Sequence, residues 1–89
     1  MNAVISVIGK DCVGILAFVS NKCSQANANI LEVSQSVLKE YFAMIMLVNI
    51  DNLNCEFVDF VSELESKGKD EGLDIHVMHE DIFNAMHKI

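Results

Sequence analysis

The sequence predicts an α+β sandwich of order β-α-β-β-α-β, with a four-stranded antiparallel sheet, two helices on one face and a short C-terminal helix. Three observations predict it. Four short stretches are apolar or alternate at strand spacing, at residues 3–8, 30–38, 42–50 and 73–79. Two longer stretches between them, 12–27 and 55–71, repeat their apolar residues at helical spacing. Between the second and third strands Lys39-Glu40 makes a short turn, a length that suits a hairpin.

Residues 3–8 form the first strand, which stops at Gly9. The first helix begins at Cys12, with Asp11 as its N-cap and Gly14 in its first turn; Ile15, Leu16, Val19, Cys23 and Ala26 make its apolar stripe. Asn27-Ala28-Asn29 ends it. In residues 30–38, Leu31, Val33 and Val37 alternate with Glu32, Ser34 and Ser36, giving one dry and one wet face. In residues 42–50 both faces are apolar: Ala43, Ile45 and Leu47 on one, Phe42, Met44, Met46 and Val48 on the other. The second helix carries Phe57, Val58, Val61 and Leu64; Asn52 or Asn54 caps its start and Gly68 or Gly72 ends it. The tail, residues 80–89, reads as a short amphipathic helix with Ile82, Phe83, Met86 and Ile89 on one side. This is the split βαβ, or ferredoxin-like, plan with right-handed crossovers and the first and third strands central.

The 89 residues make one domain, 1–89, and an apolar fraction of 52% is too high for a disordered chain. No run is long enough to span a membrane, and no leader pattern is present, so a cytoplasmic protein is expected. The net charge is −7 and the chain holds no arginine, which argues against nucleic acid as a partner. Cys12, Cys23 and Cys55 lack CxxC spacing and read as free, mostly buried thiols. Cys12 is placed where a helix N-terminus would stabilise a thiolate.

The chemistry of the chain gathers at residues 9–15. A strand that turns tightly into a helix points free N–H groups and the positive end of the helix dipole at one spot, suited to an anion. The plainer alternative is that Gly9 only turns the chain and Gly14 only lets the helix pack near the sheet. His76 and His79 fall on opposite faces of the last strand, so they do not form a metal pair; His87 with His79 and Glu80 is a weak grouping. Met44, Met46, Met78 and Met86 read as core or interface filler, and residues 67–71 as a solvated helix end. No nucleophile–base pair or carboxylate dyad is placed near the turn, so neither catalysis nor a cofactor is expected.

The run Gly9-Lys10-Asp11-Cys12-Val13-Gly14-Ile15-Leu16 resembles the Gly-x-Asp-x-x-Gly turn of the ACT domain family, and Asn27-Ala28-Asn29-Ile30 resembles its entry to the second strand. Within that family the chain is most similar to stand-alone bacterial proteins of the glycine cleavage regulator group, over residues 2–80. It departs from them at Val13, where many have proline, and at Cys12, where many have arginine. The resemblance implies binding without chemistry: a small effector, an amino acid by preference, at a subunit junction lined by Asp11, Cys12, Val13, Gly14 and Ile15, with Asn29 contributed from a second strand, commonly across a dimer. The helix N-terminus would donate to the carboxylate, while Asp11 and the Asn29 carbonyl would accept from the ammonium. The two-sided apolar third strand independently points to a homo-oligomer, most simply a dimer, unless the tail helix folds back over the open face. A partner enzyme or regulator would read the ligand. The rival is a ligand-free interaction module of the same fold.

Overall fold

The two most apolar strands take the central places of the sheet. A computed structural model of the chain describes residues 1–10 and 14–86. Strands β1 (Asn2–Gly9), β2 (Asn29–Leu38), β3 (Tyr41–Asn49) and β4 (Asp74–His79) form one sheet in the order β2-β3-β1-β4, every neighbour antiparallel. Helices α1 (Ile15–Ala26) and α2 (Phe57–Asp70) lie in the two crossovers, and α3 (Glu80–Met86) follows β4 without a break. The architecture is the ferredoxin-like one that the sequence predicts.

Strand alternation decides which of the two apolar sets of β3 meets the helices. Phe42, Met44, Met46 and Val48 are buried, with Ala3, Ile5 and Val7 of β1 and Ile75 and Val77 of β4, beneath Ile15, Val19 and Cys23 of α1 and Phe60 and Leu64 of α2. Ala43, Ile45 and Leu47 therefore face away, and the pairings Ile8↔Ala43 and Ser6↔Ile45 put Ile8 beside them. Ile8 and Ile45 are 47% and 45% exposed. Helix α3 packs against β1 and β4, and Val4 of the same face is only 5% exposed there. The tail thus packs at the β1–β4 side of the sheet and leaves Ile8 and Ile45 exposed, with Ala43 and Leu47 beside them half-buried.

Several local expectations are corrected. The described part of α1 starts at Ile15, and its N-cap is Gly14 rather than Asp11. Leu16 is exposed, because a helix lying on a sheet buries only about half its circumference and Val19, Cys23 and Ala26 take that half. In α2 the buried residues are Phe60, Leu64 and Gly68, with Phe57 and Val61 half-buried, while Val58 points to solvent. Its N-cap is Glu56; Asn52 and Asn54 are used elsewhere, as described below. Gly72, not Gly68, ends it: Gly72 has φ 76°, Leu73 N–H donates to the Gly68 carbonyl at 2.8 Å and Gly72 N–H to that of Lys69 at 3.1 Å, a Schellman closure. Gly68 is instead a contact residue, where an added Cβ would strike the Ile75 side chain. Asn27 closes α1 in the same way, at φ 63° with Ala28 N–H on the Cys23 carbonyl at 2.8 Å. The apolar side of β2 is not dry: β2 is an edge strand, a bulge falls between Ile30 and Glu32, and Leu31, Val33 and Val37 are all exposed. Cys55 is exposed, whereas Cys23 is buried. Ile82 and Met86 of the tail are exposed as well.

Candidate functional site

Gly9 and Gly14 do different work from what their spacing suggests. Gly9 is the last residue of β1 and is a close-approach glycine: an added Cβ would lie 2.6 Å from Leu73 Cδ2. Gly14 is required by backbone geometry, with φ 79° in the left-handed region that L side chains avoid, and among the described residues nothing beyond its chain neighbours lies within 4 Å of the space where its Cβ would be. It does not serve close helix–sheet packing. The Gly14 carbonyl accepts from Phe18 N–H at 2.8 Å and opens α1. Gly14 has no side chain to cap that helix start, and among the described residues none is recorded as capping it. Lys10, just before the turn, holds its ammonium 5.9 Å over the Tyr41 ring. Asp11, Cys12 and Val13 lie outside the described residues.

Asn29 is at the other end of the sheet. It pairs with Asn49, which pairs with Asn2, while Gly9 pairs with Phe42 at the opposite end of the central strands. Within one chain the full length of α1, about 18 Å for its twelve residues, separates Asn29 from the Gly14 turn. The turn and Asn29 are not brought together inside a monomer.

Asn29 does line a polar depression of about 520 Å³, with Ser20 and Ser24 of α1, Asn27, Asn49 and Asn52. The loop after β3 builds its floor. Asn27 Nδ2 donates to the Asn52 carbonyl at 2.8 Å, Asn54 Nδ2 to that of Gln25 at 2.7 Å, and Asn54 N–H to that of Ala26 at 3.1 Å, tying this loop to the end of α1. Asn49 Nδ2 donates to Asn2 and Asp51, and the Asp51 carboxylate also takes the terminal ammonium of Met1. Those contacts hold the Asp51 carboxyl below its ordinary range, the N-terminal hydrogen bond first and Asn49 next. Sequence reasoning places only Asn29 of this group in a site, reading Asn27, Asn52 and Asn54 as helix-end residues; the recurrence of asparagine at 27, 29, 49, 52 and 54 is the signal that marks the rest.

Other polar clusters are simpler. Lys22 Nζ meets Glu63 at 3.4 Å beside a smaller groove of about 280 Å³ between α1 and α2. His76 pairs with Asp74 at 3.1 Å in solvent, while His79 stacks on Phe57 on the helix side, ring centroids 4.2 Å apart. The two histidines are on opposite faces, as their odd spacing requires. Among the described residues no three potential metal ligands come together. Burial pushes the Cys23 thiol up to about 11. No described helix is long and apolar enough to cross a membrane.

The β2-β3-β1-β4 sheet leaves the family open, and the family model described as "ACT domain" decides it by matching residues 2–78. The chain belongs to the ACT domain family. It is 49% identical over 89 residues, the whole of both chains, to a UPF0237 protein of Listeria monocytogenes. An ACT domain protein from Streptococcus pneumoniae is 37% identical and superposes with a TM-score of 0.82 over 93% of each chain. A structure titled putative glycine cleavage system transcriptional repressor shares the fold at a TM-score of 0.72 and 23% identity, over 86% of this chain and 44% of that one. Membership makes a regulatory, ligand-binding kind of module the functional frame for this ACT chain.

Proposed function

We propose that this ACT chain is a non-catalytic regulatory module that pairs two-fold through β2 and holds a small effector, an amino acid by preference, where the Gly14 turn of one copy meets Asn29 of the other. One observation carries the reading: the two halves of the candidate site lie at opposite ends of the sheet, and one sheet edge is open. Strand β2 is a ten-residue edge strand exposed over residues 29–37, with Val33 and Val37 on its helix side uncovered. Such an edge invites a partner strand. The other edge, β4, has six residues and runs straight into α3.

Antiparallel pairing of β2 with its two-fold mate reverses one copy end for end. Asn29 of one chain then comes level with the Leu38 end of the other, the end at which β1 stops and α1 starts. Leu16, Ser20 and Ser24, which share one stripe of α1, would face the antiparallel α1 of the mate. Turn N–H groups would take the carboxylate of the effector, and Asp11 with the Asn29 carbonyl its ammonium. Binding and pairing are then linked, each strengthening the other, and a partner enzyme or regulator reads the result. Cytoplasmic residence fits such a sensor.

Calorimetry of the purified chain against the twenty amino acids, with light scattering, tests this. The expected result is a dimer that binds one class of amino acid, with binding lost in Asp11→Ala and Asn29→Ala. A chain that binds none at millimolar concentration is a ligand-free interaction module instead.

A further inference from the structure

We propose that the depression beside Asn29 receives the side chain of the effector and selects an uncharged hydrogen-bonding group, a hydroxyl or a carboxamide. This rests on the reading above, which places the head group of an amino acid at the turn and leaves its side chain to point along the mate's α1 toward Ser20, Ser24 and Asn52.

Three observations on that depression set the chemistry. Its lining holds no charged residue, in a chain of net charge −7. Asp51, the nearest carboxylate in the loop, is already engaged by the N-terminal ammonium and Asn49. The side chains of Ser20, Ser24, Asn29 and Asn52 make no hydrogen bond among the described residues, whereas those of Asn27, Asn49 and Asn54 are used to fix the loop. Free donors and acceptors thus stand on a rigid floor.

The selection follows from what each side chain would lose. A carboxylate or ammonium would give up water and meet no counter-ion. A branched apolar chain would cover the two hydroxyls and the Asn52 amide and leave them unpaired. A hydroxyl or carboxamide replaces the water on both sides. Each amide offers a donor and an acceptor, so asparagine and glutamine are matched as well as serine and threonine. One hydrogen bond that is kept rather than lost corresponds to about a tenfold difference in affinity.

Competition calorimetry with serine, asparagine, leucine, aspartate and lysine as probes reads this directly. The expected order places serine or asparagine about tenfold or more ahead of the other three. Asn52→Asp supplies the missing counter-ion and should move the preference toward lysine, with no change in secondary structure, since the Asn52 backbone carbonyl still accepts from Asn27. Ser20→Ala with Ser24→Ala should narrow the gap between serine and alanine. If leucine, aspartate or lysine binds best to the unaltered chain, or if Asn52→Asp leaves the order unchanged, this selection is wrong while the amino-acid site stands. If none of the five binds and none of the other fifteen does, the site itself is wrong.

Discussion

Gly14 and Cys23 each show a residue choice set by one physical term. At φ 79° an alanine in place of Gly14 meets no atom of the described residues beyond its chain neighbours but must take a left-handed backbone, so Gly14→Ala should cost about 1–2 kcal/mol. A thermal melt would register this; an unchanged melt would mean that the turn relaxes freely. The same variant should keep Cys23 protected, because that thiol lies in the core. With its pKa raised from 9.0 to about 11 by burial, Cys23 binds its proton more tightly folded than unfolded. Its contribution is whole below pH 9 and is lost as pH rises toward 11, up to about 2–3 kcal/mol. Denaturant titrations at pH 8 and pH 10.5 in a reductant should therefore differ in that direction. Alkylation of the native chain at pH 8 should modify Cys55 and spare Cys23, and mass mapping after digestion distinguishes them. That exposure of Cys55 was not legible in the sequence, since a cysteine just before a helix carries no pattern of its own. Asp11 shows the opposite case: it reads as an N-cap by type, yet the helix opens on Gly14 because a left-handed residue there redirects the chain.

Among the elements, alternation and length were legible, and the choice between equivalent faces was not. Strand order, both crossovers, the Lys39-Glu40 hairpin and the central places of β1 and β3 follow from periodicity and a few topological rules. β3 carries apolar residues on both faces, so its sequence alone does not say which set meets the helices. The register with β1 decides for Met44 and Met46. Val58 and Leu16 were misplaced for a related reason: an apolar residue one step off the stripe fits a helical pattern but not the half-cylinder that a sheet covers. β2 was read as half dry because the sequence does not reveal that the helices stop short of the sheet's edge. Two variants separate these roles. Met46→Ala should destabilise the chain by about 2–5 kcal/mol, a core cavity readable in urea. Val33→Lys with Val37→Lys should instead keep the circular dichroism spectrum and halve the mass in light scattering, since both side chains are exposed on the open edge. A double variant that stays dimeric would place the subunit contact on another surface, such as the Ile8 and Ile45 strip.

For the whole molecule, the division of the candidate site between the two ends of the sheet carries most of the functional reading. The motif at the turn and the asparagine at the head of β2 were both legible as residues. Their separation was not, because sequence distance (fifteen residues from Gly14 to Asn29) says nothing about which end of a sheet each reaches. A helix of twelve residues carries the chain from one end to the other. If the site is shared, neither half is sufficient, and two defective chains repair each other. Asp11→Ala and Asn29→Ala dimers each have every site damaged. A mixed dimer pairs the intact turn of one chain with the intact Asn29 of the other. The measurement is calorimetry of the two variants alone and after unfolding and refolding them together in equal amounts, titrated with the amino acid that the unaltered chain binds best. The predicted result is negligible binding by either variant and recovery of full-affinity binding in the mixture, at about a quarter of the unaltered site count, since half the dimers are mixed and each holds one whole site of two. A mixture that binds no better than its parts would contradict a site shared between copies.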